Sequence, residues 1–406
     1  MRVTVRCLLD IGAVHCTPVR QPLLTILTRF VSQMASILAL ALAVTLSFFV
    51  TIASVGILKR IAPWLGLLDH PGGRKQHEIS TPVVGGLAMG VGLFAAWLLV
   101  PGVRPPTAWM GGVLLFFVLG AIDDRAHLRA GPKFLFQAFI SAAVVVGSEV
   151  SLHALGEIIP GWAPDLGWLA VPFSVFAIVS VMNAINMSDG VDGLAGSLCL
   201  VALLVLGGVA WLSGNAHVIE LAAVLGACLM AFLIFNLRGW SGRPARIFMG
   251  DAGSLGVGFL IAIIALQLCS LSTAQGGAPP AVVVWACFVP LADGLSVIAA
   301  RLLRGQGATA PGRDHLHHLL LARGMNPAQV VAIEAGGGLS LAVIAIAAWL
   351  LGAPEWLLVL GFVTLLALFY AGVSSQWSRL RRAHGQAVDE SGLPDEVDIA
   401  TDRVAG

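Results

Sequence analysis

Long apolar stretches alternate with short polar breaks along this chain, and the breaks hold most of its charge. Uninterrupted apolar runs lie at about 37–58, 83–101, 108–122, 132–149, 168–187, 195–213, 216–236, 253–272, 280–303, 326–352 and 354–374. Most approach the length of roughly 20 residues that carries a helix across a bilayer; 108–122 is the shortest. The runs are continuous rather than alternating, so they do not read as the strands of a membrane barrel. Helices satisfy every backbone polar group within the segment, as lipid requires. The pattern therefore predicts an all-α polytopic membrane protein of about eleven transmembrane helices.

Composition agrees, with 58% hydrophobic residues and a mean hydropathy of +0.90, far above a soluble globular domain. Three segments are expected. Residues 1–33 form an N-terminal extension, read as an over-long start because Met34 directly precedes the first run. Residues 34–374 form one transmembrane domain, since no break between runs exceeds about two dozen residues. Residues 375–406 read as a cytoplasmic tail, disordered toward its acidic end, where 383–406 holds six Asp and Glu. The six cysteines show no paired spacing, which argues against a disulfide framework or a zinc site. A net charge of +1 says nothing about nucleic acid, and with no basic stripe or aromatic ladder present no nucleic-acid partner is expected.

Charge becomes informative once the runs are counted. With eleven spans, the breaks after odd-numbered runs face one side and hold Lys59, Arg60, Arg74, Lys75, Arg125, Arg129, Lys133, Arg238, Arg243, Arg246, Arg301, Arg304, Arg313 and Arg323. The opposite breaks hold Arg104 alone. The positive-inside rule makes the rich side cytoplasmic. Arg2, Arg6, Arg20 and Arg29 break the pattern, which again favours a start at Met34.

The chemistry sits on that same side. Asn183, Asn186, Asp189 and Asp192 recur every three residues in NAINMSDGVDGLA (183–195). On a helix they would drift slowly around one face, with the two acids side by side. One helix cap would explain one acid, not two acids and two amides. In GAIDDRAHLRAGPK (120–133), Asp123 and Asp124 point about 100° apart if helical, so they should serve different partners. Lys133 could return to the same region and meet a phosphate. Asp251 lies in a Gly-rich turn opening a helix, IFMGDAGSLGVGF (247–259), where free amides attract anions and a carboxylate suits a hard cation beside phosphate. PGRDHLHHLL (311–320) sets His315, His317 and His318 after Arg313; without further soft ligands this favours phosphate or sugar over zinc. LLDHPGGRKQHEISTPVVGG (67–86) reads as an anion-binding turn with Arg74 and Lys75. Glu220, Asp293 and Glu334 fall inside apolar runs, where ionisable groups are costly; Asp293, in the PLAD turn, is the most suspicious.

Taken in chain order from about Lys59 to Arg323, these five motifs resemble the polyprenyl-phosphate N-acetylhexosamine-1-phosphate transferase superfamily. The Arg-Asp-His-Leu-His-His form is similar to its WecA/TagO branch; the related MraY type more often carries consecutive histidines. The resemblance implies transfer of a sugar-1-phosphate from UDP-N-acetylglucosamine, or a related UDP-N-acetylhexosamine, to undecaprenyl phosphate with release of UMP. That reaction would start a lipid-linked cell-surface polysaccharide at the bacterial inner membrane. It implies Mg²⁺, with Mn²⁺ as an alternative, on Asp251 and Asn186. Asp123 would position or deprotonate the lipid phosphate with Asp124 supporting it, and Asp189 and Asp192 would orient the nucleotide or the groups around it. Lys75, Lys133, Arg313, His315, His317 and His318 would bind the substrates. A homodimer is compatible with this reading. Two alternatives remain at this point: an MraY-like enzyme using a muramoyl-peptide donor, and a polyprenyl-lipid transporter. The transporter should show internal repeats and midplane polar residues, whereas the acids here cluster at one border.

Overall fold

A computed structural model describes residues 20–69, 80–237, 244–308, 312 and 314–383. The helices are α1 (Arg20–Leu65), α2 (Gly85–Leu99), α3 (Thr107–Ala126), α4 (Ala130–Ser148), α5 (Ala170–Met187), α6 (Leu194–Leu212), α7 (Ala216–Asn236), α8 (Gly250–Ser270), α9 (Pro280–Val283), α10 (Phe288–Leu303), α11 (Leu316–Ala322), α12 (Pro327–Leu350) and α13 (Glu355–Ala383). Among the described residues, ten helical segments are long and apolar enough to cross a membrane, and α2 is a shorter apolar helix. Together they account for all eleven runs, and the chain is a multi-pass all-α membrane protein. The ninth run is broken: α9 passes through a 3₁₀ turn at Val284–Cys287 into α10. Pro290 lacks the N–H that would bond the carbonyl four residues back, at Ala286, within that turn.

The two outermost helices overrun their expected limits. α1 starts at Arg20 rather than near 37 and passes Met34 without a break. No glycine interrupts its first turns, and Pro22 sits where helical N–H groups lack partners anyway. α1 stops at a left-handed Gly66, where the Leu67 N–H donates to the Ala62 carbonyl at 3.0 Å. α13 continues to Ala383, beyond the limit of 374. Trp377 explains the continuation, being 4% exposed and donating from Nε1 to the Asp314 carbonyl at 3.0 Å.

α8 is the centre of the bundle: 83% of its apolar stretch is buried, against 6% for α13. α2, α3, α5 and α6 pack around it. Close approach depends on Gly120 of α3, where a Cβ would lie 2.3 Å from the Ala252 nitrogen and 2.4 Å from its Cα. A backbone clasp ties the first break to the same place. Strands β1 (Leu68–Asp69) and β2 (Thr81–Pro82) pair antiparallel, and Val83 bridges Phe248. Gly85 and Gly86 then donate to the carbonyls of Phe248 and Met249, both at 2.9 Å. Arg104 marks the opposite end of the bundle, donating to the carbonyls of Trp97 and Leu98 at the close of α2.

Candidate active site

Three motifs far apart in sequence meet at the N-terminus of α8. Lys133, in the first turn of α4, places Nζ 2.6 Å from Asp123 Oδ2 and 2.5 Å from Asp251 Oδ2. Asn186, in the last turn of α5, donates from Nδ2 to Asp251 Oδ1 at 2.7 Å and to Ser254 Oγ at 2.8 Å. A single ammonium thus holds together two carboxylates that would otherwise repel.

Asp123 and Asp124 do serve different partners. Asp123 is 6% exposed, and its Oδ1 accepts from the Leu128 N–H at 2.7 Å. With Lys133 on Oδ2, both of its oxygens are engaged. Asp124 accepts the backbone N–H groups of Asp251 at 2.7 Å and Ala252 at 3.1 Å. The amides that the sequence suggested were open to a substrate anion are therefore filled by a carboxylate of the protein, which caps α8. Gly250 makes room for it: its φ is +71°, and a Cβ there would lie 2.4 Å from Val83 and 2.7 Å from Asp124 Oδ2.

The three-residue repeat does not lie on one helix. α5 ends at Met187 and α6 begins at Leu194, so the helix carries Asn183 and Asn186 while Asp189 and Asp192 sit in the turn between. Gly193, with φ +82°, closes that turn as the N-cap of α6, a conformation glycine adopts without strain. Asp192 Oδ2 accepts from the Ala245 N–H at 3.1 Å. Asp189 accepts from the Gly250 N–H. Burial pushes the Asp189 carboxyl up to about 7, assisted by the negative charges of Asp251, Asp124 and Asp192.

That shift carries a stability consequence. The folded-state value lies above the unfolded value of about 3.9, so the folded protein holds an extra proton between roughly pH 4 and 7. Asp189 then lowers stability as pH rises through this window. In EDTA-treated protein, Asp189→Asn is expected to raise the thermal midpoint over wild type at about pH 8. The advantage should vanish near pH 4, and a gap constant with pH would contradict the assignment.

The histidine segment forms the site's other wall. His315 Nδ1 lies 2.7 Å from Asp293 Oδ2, and Asp314 Oδ2 accepts from Arg304 Nη1 at 2.8 Å. His317 is 1% exposed and packs on the Asp189 turn; a Cβ on Gly190 would lie 2.5 Å from its Nε2. Burial, then the neighbouring His318, lowers His317 to about 3, so it stays neutral. A neutral imidazole suits hydrogen bonding rather than charge neutralisation. Lys75 and Arg313 lie outside the described residues.

Some supporting residues escaped the sequence reading. Asn236, closing α7, accepts from the Gly193 N–H and donates to the Ile247 carbonyl, both at 2.9 Å, joining the Asp189 turn to the approach of α8. Gln137 pairs with Asn183 Nδ2 at 2.7 Å. It lies four residues after Lys133 on one helix face, so a polar position within an apolar run was the available signal. Nothing in the sequence marks Trp377 as a partner of the histidine segment.

The donor set suits a hard cation. Among the described residues no three His, Cys, Asp or Glu side chains converge as a complete metal-binding set. Asp251 and Asn186 nevertheless bring a carboxylate and an amide together, and Mg²⁺ commonly takes only one or two protein ligands, completing its shell with water and substrate phosphate.

Comparison with known proteins decides the lineage. The family model described as glycosyl transferase family 4 matches residues 106–269, the stretch holding Asp123, Lys133, Asn186 and Asp251. The chain is 31% identical over 338 residues to the undecaprenyl-phosphate alpha-N-acetylglucosaminyl 1-phosphate transferase of Yersinia pestis, covering 81% of this chain and 90% of that protein. The chain belongs to glycosyl transferase family 4. The protein of the same name from Escherichia coli K12 is 29% identical over 355 residues, covering 83% of this chain and 95% of its own length. A probable undecaprenyl-phosphate N-acetylglucosaminyl 1-phosphate transferase of Bacillus subtilis strain 168 is 34% identical over 292 residues, covering 70% of this chain and 78% of that protein. The resemblance carried by the five motifs is borne out, and the chain is a transferase.

Proposed function

We propose that this transferase moves N-acetylglucosamine-1-phosphate from UDP-N-acetylglucosamine to undecaprenyl phosphate, releasing UMP and initiating a lipid-linked surface polysaccharide. The cluster of Asp123, Lys133, Asn186 and Asp251 at one end of the transmembrane bundle carries this reading. A lipid phosphate arrives there from the bilayer and a nucleotide sugar from water. An oxygen of the lipid phosphate forms a bond to the phosphorus bearing the sugar, and the bond from that phosphorus to the UMP oxygen breaks. Asp251 and Asn186 are the residues that would hold Mg²⁺, or Mn²⁺, whose charge would offset that growing on the departing UMP. Lys133 keeps Asp251 and Asp123 in place. Asp189, near 7, is the acid suited to exchanging a proton with the lipid phosphate at neutral pH. His315, His317 and His318 line the donor's sugar diphosphate, with Asp192 bracing the turn opposite.

The decisive assay follows UMP release from purified protein supplied with Mg²⁺, undecaprenyl phosphate and a panel of UDP-sugars. UDP-N-acetylglucosamine should be turned over and a UDP-muramoyl pentapeptide should not. Asp251→Asn should stay folded but lose Mg²⁺-dependent turnover, and near wild-type activity in that variant would sink the assignment. The Lys and Arg asymmetry further supports an inner-membrane enzyme with this end in the cytoplasm. A membrane-impermeant thiol reagent on intact cells should then miss a cysteine placed at His127 and label one placed at Ala163. The reverse pattern would invert the orientation.

A further inference from the structure

Asp293 lies within α10 and is 2% exposed, at a depth where an ionisable side chain needs partners. Both of its oxygens meet one short segment of chain. Oδ2 lies 2.7 Å from His315 Nδ1, and Oδ1 accepts from the Leu316 backbone N–H at 2.8 Å. His315 is the N-cap of α11, yet its own side chain makes no capping bond. The first turn of α11 is therefore capped from a neighbouring helix. With only seven residues, α11 is too short to hold itself in place by its backbone bonds alone.

The contact also selects a tautomer. An ionised carboxylate accepts hydrogen bonds and donates none, so Asp293 requires the proton on His315 Nδ1. Nε2 is then the nitrogen left to face a ligand. The ring plane is fixed from the other side by His317, stacked with centroids 5.2 Å apart and planes 8° apart. His317 in turn lies 4.4 Å from His318, whose ring is tilted by 50°, so the three rings pack in contact with only the first two parallel.

We propose that Asp293 is a positioning residue for the transfer, acting through His315 by capping α11 and presenting the imidazole Nε2 to the donor. This rests on the reading of the histidine segment as the donor's seat. Asp293→Asn keeps the shape and one accepting oxygen for Leu316 but turns an amide N–H toward His315, favouring the opposite tautomer. Carboxylates that orient a histidine in this way are worth about 10–100-fold in related settings.

The test is a double-mutant cycle read by UMP release, with thermal midpoints measured alongside. Asp293→Asn should lower kcat about 10–100-fold with little change in thermal midpoint, and His315→Ala should lower it at least as far. The double variant should match His315→Ala within about twofold, because Asp293→Asn keeps the cap on Leu316 and has no ring left to misorient. A full additional loss in the double variant would overturn the proposal and assign Asp293 to the fold alone. Wild-type turnover in His315→Ala would instead overturn the underlying reading of the histidine segment, and the proposal with it. Should Asp293→Asn fail to fold, nitrogen-15 histidine spectra of the full wild-type chain decide. The His315 signal, assigned by its loss in His315→Ala, should show a proton on Nδ1, and an unprotonated Nδ1 would overturn the proposal.

Discussion

Lys133→Met is expected to abolish UMP release and to lower thermal stability together. Its ammonium is the cation shared by Asp123 and Asp251, at 2.6 and 2.5 Å, with side chains 13%, 7% and 29% exposed. Removing one partner from such an arrangement leaves uncompensated charge in a poorly solvated place, which typically costs about 3–5 kcal/mol. Turnover should fall by roughly 10²–10³-fold or more, the scale of losing one preorganised electrostatic group. Adding Asp123→Asn removes one of the stranded charges, so the double variant should regain part of the thermal midpoint but none of the turnover. Lost activity at an unchanged midpoint would show that Lys133 touches substrate without holding the carboxylates. A restored turnover would show that the ammonium is dispensable.

Gly120→Ala should be nearly as damaging, though no functional group is altered. A methyl group there would meet the backbone of α8 at 2.3–2.4 Å, at Asp251 and Ala252, and backbone cannot turn aside as a side chain can. Overpacking a tight interior costs about 1–3 kcal/mol and more when main chain must move. The movement would separate Asp124 from the amides it caps and shift Asp251 away from Lys133. Gly111→Ala, on the same helix, is the control: nothing lies within 4 Å of its added methyl. There the change should be neutral or stabilising by about 0.5–1 kcal/mol, as expected for exchanging Gly for Ala within a helix. Equal effects at the two positions would show that helix propensity, not the contact with α8, governs both.

All eleven apolar runs were legible as helices in the sequence, because lipid leaves a crossing backbone one local solution and the length of an apolar run measures it directly. The motifs were legible for a related reason: ionisable residues are too costly in lipid to be scattered, so Asp123, Lys133, Asp189 and Asp251 stand out at helix borders. Helix ends were less so. The three-residue spacing of Asn183 to Asp192 suggests one helical face, but α5 ends at Met187, between the amides and the acids, and Gly193 at φ +82° opens the next helix. α13 runs to Ala383 because Trp377 finds the Asp314 carbonyl, a partner 63 residues away that no local pattern announces.

The class of molecule, its apolar helices and the residues from which its chemistry is built can all be read from the order of amino acids. What each acid does depends on how the helices pack. That packing set Asp124 as the cap of α8, bound Asp123 and Asp251 to one lysine, left Asp189 near 7, and gave Asp293 to His315. The reason is physical. A membrane border selects for polar residues whatever their task, whereas a carboxylate's role depends on which donors lie within about 3 Å, and here those donors come from other helices.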